Sequence, residues 1–201
     1  MNLANKLTLF RVILSPVFFV IYLSPRFFPS LFTDGSGWTV PILWIIFIVS
    51  ETTDFFDGLA ARKLNLTSDF GKLFDPFADT LYQLTCFLCF VIEGLFPATL
   101  FLLVIYREYG ILFLRNLMLK KGVTLGARLG GKIKTVSYII ALSAALLLIS
   151  LERLEIFEFL VPYFKTGTLV VFIISVIIAI ISFFDYLYVY HKTVKNQENP
   201  E

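Results

Sequence analysis

Six long apolar stretches run along the chain, and short polar connections separate them. A helix needs about 20 mostly apolar residues to cross the hydrocarbon core of a bilayer. Proline and glycine mark several of the connections, among them Pro25, Pro29, Gly94 and Pro97, as expected of residues that end helices. The pattern predicts an all-α integral membrane protein with a bundle of six transmembrane helices, which we place at residues 7–24, 38–62, 72–93, 96–119, 131–150 and 167–190.

The composition agrees with this pattern. Hydrophobic residues make up 58% of the 201 residues and charged residues only 16%, whereas about a quarter of a soluble domain is charged. Little of the chain is left for a separate soluble domain, so residues 1–201 are predicted to form a single membrane-embedded domain. We expect the lipid bilayer as its surroundings and no nucleic acid as a partner.

The positive charges are distributed unevenly between the two sides of the predicted bundle. Most of the 17 lysines and arginines fall on one set of termini and connections, while the opposite set carries only Arg26, Arg153 and Lys165. Because cytoplasmic connections are rich in Lys and Arg, both termini are predicted to face the cytoplasm. The expected location is the cell membrane, with the polar stretch between the second and third helices on the cytoplasmic side.

That stretch carries two pairs of aspartates, Asp54 with Asp57 and Asp75 with Asp79. Residues three or four apart share one face of a helix, so the two pairs face each other if the chain turns back between them. Unpaired carboxylates at the edge of a membrane are costly, and a set of oxygen ligands suits hard cations such as Mg²⁺, Mn²⁺ or Ca²⁺. The pattern indicates two divalent ions arranged as in phosphoryl-transfer enzymes.

The residues around the aspartates suggest further roles. Gly58 and Ala61 are small and leave room for a bulky ligand, and close helix packing is the alternative role of such residues, favoured if the aspartates were absent. Arg62 is suited to pair with a phosphate. Asp79 is a candidate metal ligand and also a candidate general base that takes the proton of an attacking hydroxyl.

The complete spacing is D-x2-D-G-x2-A-R-x8-G-x3-D-x3-D, and it resembles the signature of the CDP-alcohol phosphatidyltransferase family with no position missing. The resemblance implies a six-helix bundle, usually a homodimer, which holds two divalent metal ions, Mg²⁺ or Mn²⁺. It also implies transfer of a phospho-alcohol from a CDP-linked donor to a second alcohol, with release of CMP. The positions of this chain that the resemblance assigns to the CDP-linked lipid are Thr8, Gly58, Ala61, Arg62 and Gly71.

Weaker motifs are similar to one branch of the family, whose members use CDP-diacylglycerol and sn-glycerol 3-phosphate. They are the opening NKLTLFR, the Arg107-Glu108 pair, Arg115, and GKIKT at residues 131–135. Thr80 departs from this branch, which often has lysine after the last aspartate. The resemblance implies synthesis of phosphatidylglycerophosphate from these two substrates.

Four cations form the predicted site for the phosphate of the acceptor: Arg107, Arg115, Lys132 and Lys134. Cations close together repel one another without an anion, and a phosphate monoester supplies two charges and several acceptor oxygens. Ion pairing with Glu108 or with a neighbouring helix is the alternative role for the two arginines. Of two other polar residues, Asp185 is a candidate partner for a basic residue, and His191 is a candidate interfacial anchor.

Two other functions are compatible with the pattern. The same chemistry could serve another acceptor, such as inositol phosphate or serine. A divalent-cation transporter would use the four aspartates differently, but its acids would lie near the bilayer midplane along a path. Here they lie at one interface beside Arg62 and Lys63, which argues against cation passage.

Overall fold

The computed structural model describes residues 3–31, 36–64, 69–120, 122–123 and 128–198, without the side chains of residues 3–5, 31, 54–64, 69–73 and 196–198. The described chain forms six α-helices and two short 3-10 turns and contains no strand. This confirms the all-α architecture and the six predicted helices. They are α1 (Leu3–Phe27), α2 (Thr39–Leu64), α3 (Asp69–Ile92), α4 (Ala98–Lys120), α5 (Leu129–Leu154) and α6 (Val161–Glu198).

Three of the helices, α1, α5 and α6, extend at both ends beyond the apolar stretches that predicted them. The largest difference is in α6, which begins at Val161 and ends at Glu198 rather than spanning residues 167–190. Backbone hydrogen bonds along a helix do not depend on side-chain polarity, so a helix continues into polar sequence until a capping residue ends it. In α5 that residue is Glu155, whose left-handed backbone (φ 54°) returns its N–H to carbonyls of the last turn.

Three stretches of the described chain are long and apolar enough to cross a membrane, namely Lys6–Phe27, Leu129–Leu154 and Glu158–Lys195. A shorter apolar helical stretch covers Thr39–Thr53. The chain is therefore a multi-pass membrane protein. Charged residues within α4 lower its hydropathy, and six complete crossings stay a prediction.

Aromatic side chains fill the centre of the bundle. Phe18 and Tyr22 of α1 are fully buried, as are Phe87 of α3, Tyr138 of α5 and Phe172 of α6. The ring of Phe87 contacts both Tyr138 and Phe172, with centroids 5.1 and 5.3 Å away. This apolar core packs together helices that are distant in sequence. The packing sets the relative positions of the helices and therefore of the polar residues at their ends.

One end of the bundle is closed by polar cross-links. Arg153 at the end of α5 donates to Thr39 Oγ1 at 2.7 Å and to the Tyr22 carbonyl at 2.8 Å. Its guanidinium also lies over the Tyr22 ring, 4.7 Å from the centroid. The opposite end is formed by the start of α1, α3 and α5 and by the later halves of α4 and α6, and it carries the polar residues described next.

Candidate active site

The last two aspartates lie one turn apart in α3, where α1 packs against them. Thr8 Oγ1 donates to Asp75 Oδ1, and Arg11 forms an ion pair with Asp79. Thr8 and Arg11 are fully buried, whereas about a third of the Asp79 side chain is exposed. The buried donors of α1 therefore orient both carboxylates, and Asp79 still reaches open space.

Arg11 is a residue of the site that the sequence reasoning did not assign. Its side chain is 2% exposed in a helix that is otherwise strongly apolar. A cation in such a helix needs an acidic partner, and Asp79 on α3 provides it. The available signal was therefore an arginine inside an apolar run, three residues after Thr8.

The first half of the aspartate motif lies on helical backbone. Asp54, Asp57, Gly58, Ala61 and Arg62 fall within α2, as the sequence predicts. Gly71 falls within α3, which begins three residues before the predicted start of that helix. Their side chains are outside the described residues. The approach of the two aspartate pairs, and the contacts of these residues with a CDP-linked lipid, stay predictions.

A divalent cation is compatible with the donor atoms that the structure describes. Asp75 and Asp79 present carboxylates from the same helix, and oxygen is the ligand atom that hard cations prefer. Among the described side chains no group of three or more His, Cys, Asp and Glu residues comes together. Two of the four predicted ligands are thus placed next to each other, and the side chains of the other two, on α2, are outside the described residues.

Beside Asp79 opens a cavity of about 350 Å³ between α3, α4, α5 and α6. Its wall on α3 includes Asp79, Thr80 and Gln83, and its opposite walls are basic. The cavity brings together all four cations that the sequence assigns to the acceptor phosphate, and it adds Arg128. A carboxylate wall and a cationic wall therefore face the same small space.

Two of the four predicted cations share one buried acid. Arg107 Nη1 lies 2.8 Å and Lys134 Nζ 2.9 Å from Glu108 Oε1, and all three side chains are buried. Arg107 also donates to Ser182 Oγ at 3.2 Å and to the Ala179 carbonyl at 3.3 Å. Ion pairing, the alternative left open for Arg107, is therefore present, and Glu108 neutralises one of the two charges.

Arg115 and Lys132 line the same cavity without such a partner. Neither forms an ion pair with an acid that the structure describes, and the buried Arg115 Nε has no hydrogen-bond partner there. The Arg115 guanidinium lies 6.0 Å from the ring centroid of Tyr186. These two cations, rather than Arg107, leave positive charge available to a ligand.

Asp185 pairs with a basic residue, as expected, and the partner is Arg128 immediately before α5. Arg128 Nε lies 2.5 Å from Asp185 Oδ2, and Nη2 lies 2.8 Å from Oδ1. The hydrogen bonds to Asp185 raise the pKa of Arg128. Sequence reasoning did not assign Arg128 to the site, because the pairing joins residues 57 positions apart.

Comparison with known proteins identifies the family to which the chain belongs. The profile of the family described as CDP-alcohol phosphatidyltransferase matches residues 1–184. A Treponema pallidum protein named CDP-diacylglycerol–glycerol-3-phosphate 3-phosphatidyltransferase is 37% identical over 199 residues, which cover 97% of this chain and 92% of that protein.

Proteins of the same name occur among other relatives. The one from Bacillus subtilis is 41% identical over 148 residues, covering 73% of this chain and 77% of that protein. The one from Aquifex aeolicus is 31% identical over 189 residues, covering 92% of this chain and 94% of that protein. With its complete aspartate motif and a matching profile over most of its length, this chain belongs to the CDP-alcohol phosphatidyltransferase family.

Proposed function

We propose that this protein transfers the phosphatidyl group of CDP-diacylglycerol to sn-glycerol 3-phosphate, giving phosphatidylglycerophosphate and CMP. The observation that carries the proposal is the cavity in which Asp79 faces a cationic wall. The names of the relatives support the same pair of substrates.

The charge of the cavity matches a phosphate monoester. Asp79 and Asp185 are each paired with one cation, whereas Glu108 is shared by two cations and leaves one positive charge over. Arg115 and Lys132 add two more, so the described residues at the cavity have a surplus of three positive charges. A phosphate dianion offsets most of this surplus, and arginine binds such an anion in bidentate geometry. Serine and free inositol carry no such group.

The aspartate beside this cavity supplies the base in the proposed reaction. Asp79 lines the cavity and is held by Arg11, which orients the carboxylate. The acceptor hydroxyl attacks the phosphorus on the lipid side, its proton passes to Asp79, and CMP departs with the electrons of the broken P–O bond. General-base help of this kind accelerates such a step by about 10²–10⁴-fold.

The nucleotide end of the donor is assigned to the aspartate motif. Asp54, Asp57, Asp75 and Asp79 would hold two divalent ions, Mg²⁺ or Mn²⁺, which neutralise pyrophosphate charge when bound. Thr8 donates to Asp75 and so orients one of these ligands. The motif residues assigned to the CDP-linked lipid are Thr8, Gly58, Ala61, Arg62 and Gly71.

The surroundings of the enzyme form part of the proposal. The Lys and Arg distribution favours the cell membrane with both termini and the active site on the cytoplasmic side, where CMP and glycerol 3-phosphate are water-soluble partners of the reaction. A homodimer is proposed from the family resemblance.

The need for the phosphate is tested with two acceptors that differ only in that group. Purified protein with CDP-diacylglycerol and Mg²⁺ is expected to release CMP with sn-glycerol 3-phosphate and to release almost none with glycerol at the same concentration. Equal CMP release with glycerol would show that the cationic wall does not select the acceptor.

A further inference from the structure

Arg128 is held in place by two consecutive residues of α6. Its side chain makes the bidentate pair with Asp185, and its main-chain N–H lies 3.5 Å from the Tyr186 hydroxyl. The same arginine lines the cavity beside Arg115 and Lys132. A loop residue at the entrance of α5 thus has its position set by a different helix.

Stability alone does not explain this pair. The Arg128 and Asp185 side chains are 38% and 37% exposed, and ion pairs with that exposure add little to folding stability. Moreover, a carboxylate beside a cavity for an anion repels that anion. The pair is therefore unfavourable for the proposed ligand unless the orientation of Arg128 offsets the repulsion.

The geometry leaves Arg128 able to bind a second anion. A guanidinium has five N–H donors in a fixed plane, and Asp185 uses donors on Nε and Nη2. Because both carboxylate oxygens are engaged, the plane of the guanidinium is fixed and its remaining donors have a defined direction.

A second space lies within reach of the Arg128 side chain. On its other side lies an apolar recess of about 790 Å³ between α5 and α6, lined by Ile133, Ile178 and Ile181 together with Arg128 and Asp185. The pair stands between this recess and the cavity. Without Asp185, the long Arg128 side chain is free to leave the cavity wall, and the ordering of such a side chain costs conformational entropy.

From this geometry we infer that Arg128 is a further ligand for the phosphate of the acceptor, and that Asp185 is its positioning residue. The inference rests on the proposed function, since it concerns the acceptor of that reaction. In this role Asp185 increases the affinity of the cavity for an anion, although its own negative charge repels that anion.

The charge of Asp185 and its positioning role predict opposite changes in the KM for glycerol 3-phosphate, and this difference provides the test. Asp185→Asn removes a negative charge near the cavity, so simple electrostatics lowers the KM for glycerol 3-phosphate. If Asp185 positions Arg128, the same change raises that KM, roughly tenfold as for loss of a charge-assisted hydrogen bond. The KM for CDP-diacylglycerol stays within twofold, and Asp185→Glu recovers part of the loss.

Three further variants complete the experiment. Arg128→Ala is expected to raise the KM for glycerol 3-phosphate at least as much as Asp185→Asn. The double variant is expected to match Arg128→Ala alone, because residues that act as a unit are not additive. Lys192→Ala, which removes an exposed lysine of α6 outside the cavity, is the control and should leave both KM values unchanged.

An unchanged or lower KM for glycerol 3-phosphate in Asp185→Asn overturns the inference, and so does an equal rise for both substrates. Additive effects in the double variant also overturn it. Failure of the proposed function is recognised separately, because the wild-type protein would then release no CMP with glycerol 3-phosphate. If Arg115→Ala raises that KM while Arg128→Ala does not, the proposed function stands and this inference fails.

Discussion

At the scale of single residues, buried polar contacts give otherwise similar charged side chains different roles. Arg107 and Arg115 lie two helical turns apart on α4 and both line the cavity. Arg107 is satisfied by Glu108, Ser182 and a carbonyl of α6, whereas Arg115 keeps a buried donor without a partner among the described residues. Arg115 is therefore the arginine of α4 with a donor available to a ligand of the cavity.

Substitution of Arg115 by Ala should act on one substrate only. It removes a cation and its directed donors from the cavity but touches none of the aspartates. The KM for glycerol 3-phosphate is expected to rise roughly 10- to 100-fold, as for a lost hydrogen bond between charged groups, while the KM for CDP-diacylglycerol changes little. Steady-state kinetics with each substrate varied in turn measures this, and Lys120→Ala at the exposed end of α4 is the control. Equal increases for both substrates would contradict the assignment.

Asp79→Asn should separate the chemical step from binding of the donor. The amide still accepts a hydrogen bond from Arg11 but is no longer a base, so turnover is expected to fall by about 10²–10⁴-fold. Binding of CDP-diacylglycerol, measured by titration, should be largely retained. If Asp79→Asn weakens that binding as severely as Asp54→Asn does, then Asp79 acts mainly as a metal ligand.

At the scale of elements, α6 is the helix that holds the cations of the cavity in place. It contributes no cation to the cavity, yet Ser182 holds Arg107, Asp185 holds Arg128, and Tyr186 lies near Arg115. It can approach α4 and α5 closely because glycines face it: a Cβ on Gly110 would lie 2.7 Å from Phe183, and one on Gly131 would lie 2.9 Å from the Tyr186 hydroxyl.

Gly110→Ala should therefore loosen the contact between α4 and α6. The added methyl group must displace the Phe183 ring, and overpacking of this kind costs about 1–3 kcal/mol. Thermal unfolding in detergent is expected to occur at a lower temperature than in the wild type. Gly167→Ala is the matched control, because no atom lies within 4 Å of a Cβ at that position of α6. Equal effects of the two substitutions would show that the close packing at Gly110 does not matter.

The sequence predicts the helices well and the pairings between them poorly. Apolar stretches gave six helices because burial in lipid requires about 20 apolar residues whatever the neighbours are. The ends of α6 were wrong, since polar residues continue a helix as readily as apolar ones. Arg11 with Asp79 and Arg128 with Asp185 were not predicted, because such pairs depend on which helices become neighbours. The aspartate motif is recognisable by its spacing, but no periodicity in the chain identifies Arg128.

At the scale of the whole molecule, one end of the bundle is cross-linked by hydrogen bonds and the other carries the candidate site. Arg153 links α5 to α1 and α2 at the cross-linked end, and aromatic rings fill the space between the two ends. The end with the candidate site gathers residues from α1, α3, α4, α5 and α6. We propose that the aspartates bind the CDP end of the donor and that the cations bind the acceptor, so that the two substrates occupy adjoining parts of one site.

The proposed metal dependence of the activity involves aspartates from both α2 and α3. If two divalent ions are held by the four aspartates, EDTA should abolish CMP release from the purified protein, and excess Mg²⁺ or Mn²⁺ should restore it. The control is EDTA already saturated with Mg²⁺, which should have no effect. Full activity in metal-free EDTA would contradict the assignment of the aspartates as metal ligands.

The most direct measurement is identification of the lipid product when all acceptors compete. Purified protein in vesicles that contain CDP-diacylglycerol is incubated with equal concentrations of sn-glycerol 3-phosphate, glycerol, serine, inositol and inositol phosphate, and the lipids are resolved by mass spectrometry. We predict phosphatidylglycerophosphate as the main new lipid, in a one-to-one ratio with CMP. A main product that contains serine, inositol or inositol phosphate, or no transfer to glycerol 3-phosphate, would contradict the account.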